Sequence, residues 1–224
     1  MKQVTEQTEI MSHRENMYRF LSQLYRTEVD EKIYACLKDA DYQCGEGEDI
    51  QEGYSLMKSF FFHPYIDPVT ELAIDYAKVF LGAGIIESDK AAYPYESVYT
   101  SPKKLIMQDA RDQMLMKLRE HQLQPDGPFT IPEDHIYIEL EFMAVLCGKT
   151  LQAMDEGDIA AFRMLLNEQK QFIQKHLINW VPKFCDDVEK HSMTNFYKGL
   201  AKVTEQYIKM DMELIEEFAG RYSA

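Results

Sequence analysis

The stretch TIPEDHIYIELEFMAVL, residues 130–146, sets Glu133, Asp134, His135, Glu139 and Glu141 into an otherwise apolar run. Histidine beside carboxylates is the raw material of general-base pairs, metal ligands and cation-holding clefts. At about 100° per residue, Ile136, Leu140, Met143 and Cys147 share one helix face, and Ile138, Phe142, Val145 and Leu146 share nearly the opposite one. A helix apolar on two faces is buried, and a buried carboxylate is costly unless it is paired. Glu139 is therefore expected to be a structural polar tie, with His135 or a neighbouring Lys or Arg as its partner. Asp134 and Glu141 fall along a narrow polar edge. Asp134 and His135, at the mouth of the helix, are the better candidates for touching a ligand. Thr130 and Glu133 have the spacing of a capping box, with Pro132 in the first turn.

Other chemistries find less support. A di-iron bundle needs Glu-x-x-His pairs, and the chain has none. The CGKT of residues 147–150 resembles the end of a phosphate loop, but Met143 stands where the upstream glycine is required. Nucleophile elbow, HExxH and dinucleotide fingerprints are absent from the sequence. The 6 histidines are scattered, so no metal site is expected. Cys36, Cys44, Cys147 and Cys185 lack C-x-x-C spacing and read as reduced thiols, Cys147 serving as a small hydrophobe. With 24 basic against 38 acidic residues the net charge is −14, which repels nucleic acid and anionic membrane. The first residues lack a signal-peptide core, and no run approaches the ~20 apolar residues of a membrane helix. A cytoplasmic protein without membrane insertion is expected.

The elements that must position these residues are helical. Ile10, Met17, Leu21, Leu24 and Tyr25 recur at helical intervals, and Asp30 caps a short helix through DEKIYACLKDA. IQEGYSLMKSFFF should end before Pro64, and Asp67 with Pro68 opens a helix that Gly82 closes. Residues 83–102 resist a helical reading and are expected to form an ordered loop. KKLIMQDARDQMLMKLREHQL returns to helix, and the stretch that begins at Thr130 then runs as a helix to about Met154. Ile159, Phe162, Leu165, Leu166, Phe172 and Ile173 form the inward face of the next one. Trp180 is expected in the core and Pro182 at a redirection of the chain. Phe196 to Phe218 trace one continuous stripe. The fold class is all-α, a single helical-bundle domain over 1–224 of roughly eight to ten helices, with the 83–102 loop separating two lobes.

RFLSQLY, YAKVFLG, YPYESVY, PEDHIYIELEFMAVL, HLINWVPKF and NFYKGLAKVTEQYI, in that order, resemble the TorD/DmsD/NarJ-type chaperones that mature molybdenum-containing redox enzymes. The specific part is YPYESVY followed by PEDH. The resemblance implies an all-helical, non-catalytic protein that binds the twin-arginine signal peptide and apo form of a molybdoenzyme catalytic subunit. It implies peptide-binding roles for Pro132, Asp134 and His135, and for Tyr95, Glu96, Ser97 and Tyr99 in the loop. Some members are similarly thought to bind a guanine nucleotide weakly; no other cofactor is implied. The chemistry fits, because arginine favours planar, bidentate carboxylate partners, which Asp134, Glu96 and Glu141 could supply. In an extended segment Tyr93, Tyr95, Ser97 and Tyr99 would project to one side as an aromatic wall.

Two other classes stay open. One is a helical nucleotide-binding or hydrolytic enzyme using His135 with Asp134 or Glu139. The other is a plain helical scaffold, monomeric or a domain-swapped dimer with the loop as hinge.

Overall fold

A computed structural model describes residues 2–40, 42, 48–85, 90–124 and 131–222. Among them are ten α-helices: α1 Lys2–Arg26, α2 Glu31–Lys38, α3 Glu48–Phe62, α4 Pro68–Leu81, α5 Glu96–Thr100, α6 Asp109–Glu120, α7 Ile136–Glu156, α8 Ile159–Phe172, α9 Val181–His191 and α10 Asn195–Tyr222. A π-helical turn, Ile173–Leu177, continues α8, and the Ile178 N–H reaches back to the Ile173 carbonyl at 2.9 Å. The chain is all-α, and among the described residues no helix is long and apolar enough to cross a membrane.

The local signals explain most boundaries. The Asp30, Asp67 and Asp158 carboxylates accept from the backbone N–H groups of Ile33, Thr70 and Ala161 at 2.7, 3.1 and 2.9 Å, capping α2, α4 and α8. Gly82 ends α4 with φ 67°, a left-handed conformation that suits glycine.

The chain packs as two compact units. One comprises Met1–Tyr25, Tyr95–Asn179 and Ile208–Ala224; the other comprises Arg26–Pro94 and Trp180–Tyr207. In the second unit α3 and α10 pass so closely that a Cβ on Gly199 would lie 2.4 Å from the Gly53 carbonyl oxygen. Trp180 is fully buried there against Phe184, as expected, and Pro182 sits in the first turn of α9. The fully buried Asp75 of α4 accepts from the Met193 and Thr194 N–H groups at 2.9 and 2.8 Å and from the Thr194 hydroxyl at 2.7 Å. It thereby satisfies donors at the start of α10.

The first unit is built on α7, whose two apolar faces are both covered, as periodicity predicts. Its core holds an ionic knot. Arg14 of α1 donates through Nε and Nη2 to the two carboxylate oxygens of Asp211 on α10, and through Nη1 to Gln169 of α8 at 2.6 Å. The Tyr18 hydroxyl adds a 2.6 Å bond to Asp211, and Gln169 donates to Thr150 of α7 at 2.7 Å. Burial pushes the nearby Cys147 thiol up to about 12, so it stays neutral, as the small-hydrophobe reading requires. Cys36 and Cys185 are also free thiols; Cys44 lies outside the described residues.

Four expectations need correction. The 83–102 segment is not all loop, because residues 96–100 wind into α5. The helix expected from residue 103 starts only at Asp109, after Lys104 and Met107 adopt positive φ of 52° and 59°. The central helix opens at Ile136, leaving Pro132 and Glu133 ahead of it. Thr130, the other half of the capping box, lies outside the described residues. Ile159 is 54% exposed, since the first residue of α8 precedes the turn that meets the core.

Replacing Asp211 with alanine would leave the Arg14 guanidinium buried without its counter-charge. The expected cost is about 3–5 kcal/mol, read as a loss of unfolding free energy in urea.

Candidate functional site

YPYESVY and PEDH meet through their backbones. Tyr95 and His135 form an isolated antiparallel bridge, and the Glu96 N–H donates to the Asp134 carbonyl at 2.9 Å. Tyr95 stays extended (φ −128°, ψ 128°), and the chain then turns into the five-residue α5. So short a helix has little stability of its own. What starts it is Asp134, whose Oδ2 accepts from the Ser97 N–H at 2.9 Å, a long-range equivalent of an N-cap. The Ser97 hydroxyl in turn accepts from the Gln108 N–H at 3.1 Å and ties down the loop before α6.

This helical turn overturns the expected aromatic wall. Side chains at 95, 97 and 99 no longer alternate as they would in a strand, because residues 96–100 are helical. Tyr95 and Tyr99 are half-buried.

Asp134 is fully buried. Burial pushes its carboxyl above the ordinary range, against the lowering effect of its bonds with Ser97 and with the nearby Glu96 charge adding to the rise. His135 is buried as the N-cap of α7, where its Nδ1 accepts from the Tyr137 N–H at 3.1 Å. That acceptor role assigns the proton of the neutral ring to Nε2. Burial lowers its pKa to about 3, and Tyr95 and Tyr137 pack on the ring with centroids 4.9 Å away. Glu133 sits bidentate on Arg111 of α6, and Pro132 is buried beside it in the chain.

Glu139 comes together with residues of α5 and the π-turn. It is fully buried, and its carboxylate lies with that of Glu96 and with the His176 imidazole in a group whose ligand atoms are within 4.8 Å of one another. Glu96 accepts at Oε1 from Asn179 Nδ2 and pairs at Oε2 with His176 Nδ1, both at 2.9 Å.

Glu96 also forms part of the wall of a half-open hollow of about 430 Å³. Thr100, Lys103, Gln108, Asp109, Gln113, Lys175 and Asn179 line the rest. The loop bounding it exposes Leu105, Ile106 and Met107, at 55, 45 and 57%. Glu141 is not part of this site; it lines a separate hollow of about 80 Å³ with Leu118, Tyr137 and Phe142. The sequence motifs thus hold the residues whose backbones meet at the Tyr95–His135 bridge, and most residues lining the hollow are not singled out in the sequence. Gln108, Asp109, Gln113 and Lys175 belong to no motif, Asn179 falls in HLINWVPKF without being singled out there, and only the fold gathers them. The Leu105–Met107 run carries a signal in its apolar character, but the same character fits a helix.

A sequence profile of the family described as Nitrate reductase delta subunit matches residues 47–186. Among curated relatives, the Chaperone protein TorD of Shewanella pealeana is 28% identical over 216 residues, 91% of this chain and 90% of that protein. The TorD of Shewanella loihica is 26% identical over 221 residues, covering 94% and 96%. That of Vibrio cholerae serotype O1 (strain El Tor Inaba N16961) is 30% identical over 152 residues, covering 67% and 65%.

The buried histidine generates a pH prediction. Its folded-state pKa of about 3 lies below the ordinary 6.5, so its contribution to stability is present above pH 6.5 and is lost as the pH falls towards 3. His135→Asn keeps a capping acceptor but cannot titrate. Urea unfolding between pH 6.5 and 4 should show a flatter stability profile for the variant than for the native chain. Asp134 works oppositely. Its raised pKa favours the protonated folded state, so its contribution is full below pH 3.8 and is lost as the pH rises through the raised value. In the same titration Asp134→Asn should therefore gain stability relative to the native chain as the pH rises.

Proposed function

Because the chain belongs to the nitrate reductase delta subunit family, that of the TorD/DmsD/NarJ-type chaperones, we propose that it is a maturation chaperone for a molybdopterin-dependent oxidoreductase. It binds the client's twin-arginine signal peptide, and its apo form, in the cytoplasm until the cofactor is inserted and export can begin. The observation that carries this reading is the meeting of YPYESVY and PEDH at the Tyr95–His135 bridge, beside an open hollow walled by Glu96.

In this reading the motif residues divide their labour. Asp134, His135, Pro132 and Ser97 are buried and hold α5 in place. Asp109 offers an exposed carboxylate to a guanidinium, with Gln113 as a neutral hydrogen-bonding neighbour, while Glu96, whose oxygens are held by His176 and Asn179, backs the wall. Leu105, Ile106 and Met107 offer exposed apolar surface to the hydrophobic stretch next to the arginines. Met, unbranched and polarizable, suits a surface that accommodates varied apolar side chains.

The enzymatic alternative is disfavoured by the same geometry. A general base needs a pKa near the working pH and a free acceptor nitrogen. His135 has a pKa near 3, and its acceptor Nδ1 is already engaged by Tyr137. The curated relatives are named as chaperones.

Calorimetric titration of the full chain with a twin-arginine signal peptide tests the proposal. Asp109→Ala with Gln113→Ala should weaken binding by roughly tenfold or more, since a hydrogen bond to a charged group contributes about 1.5–3 kcal/mol. Ile106→Ser with Met107→Ser should weaken it independently, and added salt should weaken binding to the native chain. Equal affinity for a peptide whose two arginines are replaced by glutamine would refute the assignment.

A further inference from the structure

Glu96 of α5, Glu139 of α7 and His176 of the π-turn converge in the interior of the first unit, and all three are buried. One ligand atom of each lies within 4.8 Å of the other two, and His176 Nδ1 stands 2.9 Å from Glu96 Oε2. At the bond lengths of a tetrahedral zinc site, neighbouring ligand atoms stand about 3.3 Å apart. The His176–Glu96 pair lies near that spacing, and no ligand atom of the three is more than 4.8 Å from the others.

Charge argues the same way. Two carboxylates brought this close away from water repel each other unless positive charge lies between them. A divalent cation balances both carboxylates and takes the neutral imidazole as its third ligand. Two carboxylate oxygens and one imidazole nitrogen suit a first-row transition metal, whereas magnesium favours an octahedron of oxygens.

The surroundings have the other parts such a site needs. Asn179 donates to Glu96 Oε1 and orients the carboxylate, as outer-shell groups do around bound metals. Glu96 also walls the half-open hollow, which brings one of the three ligands next to solvent. The spacing of histidines in the sequence points to no metal site; it is the fold that brings His176 to two distant glutamates.

We propose that Glu96, Glu139 and His176 form a binding site for one divalent transition-metal ion, of the zinc or cobalt type, with a fourth position open towards the hollow. The ion would cross-link α5, α7 and the π-turn, and so stiffen the wall of the hollow. The site shares Glu96 with the wall of the hollow proposed for the peptide, while the test below uses no peptide and reads the metal alone.

The full chain is stripped with a chelator, dialysed, and titrated with Co²⁺ by visible absorption, with Zn²⁺ competing. One ion per chain is expected, with a four-coordinate cobalt band that Zn²⁺ abolishes, a raised melting temperature, and no response to Mg²⁺. Glu139→Gln and His176→Ala should each weaken binding by at least roughly tenfold, with far-ultraviolet circular dichroism reporting that the variants are folded. Failure of the native chain to bind either ion overturns the proposal, as does unchanged affinity in both folded variants, which would place the ion on surface histidines. Should the variants not fold, the native spectrum decides: a four-coordinate band supports the site, and the weak band of six-coordinate cobalt overturns it.

Discussion

A carboxylate taken out of water must be met by donors, and in this chain the unsatisfied N–H groups at helix starts supply them. Asp134 serves α5 and Asp75 serves the start of α10, each fully buried and each acting across a long stretch of sequence. In both cases the helix start gains the acceptor it lacks. Asp75 is satisfied by three donors, whereas Asp134 keeps its Oδ1 buried without a partner among the described residues, in line with its raised pKa. For α5 the dependence is one-sided in stability: five residues cannot hold a helix alone, so the turn exists because PEDH is beside it.

This arrangement changes what the two motifs do. Their residue types suggest groups that reach out to a ligand, yet Asp134, His135 and Ser97 point into the protein and are spent on its internal bonds. The hollow beside them is walled by Glu96, the α5–α6 loop and the start of α6.

Much of this is readable in the sequence where the determinant is local. Asp30, Asp67 and Gly82 fix helix ends through bonds within a few residues, and the two apolar faces of α7 announce burial. The reading fails where the determinant is remote. Nothing in YPYESVY predicts a helical turn, because its cap sits 37 residues away in the chain. Lys104 and Met107 take left-handed backbone in a run whose apolar pattern fits a helix, so α6 starts later than periodicity suggests. Glu139 is legible as an interior residue, but the groups around it come from α5 and the π-turn, which no spacing rule connects.

The π-turn at Ile173–Leu177 accommodates one more residue than an α-helical turn would, and such insertions are often kept at working sites. His176 lies inside it and Asn179 comes two residues after its end, and both address the same carboxylate. Losing a single residue there would restore ordinary winding and swing the downstream side chains by about 100°. The helix itself would be the more regular for it, while Glu96 would forfeit both neighbours at one stroke. In this segment, then, length is under tighter constraint than composition, and a gap of one position in a related chain would be a more telling change than several substitutions.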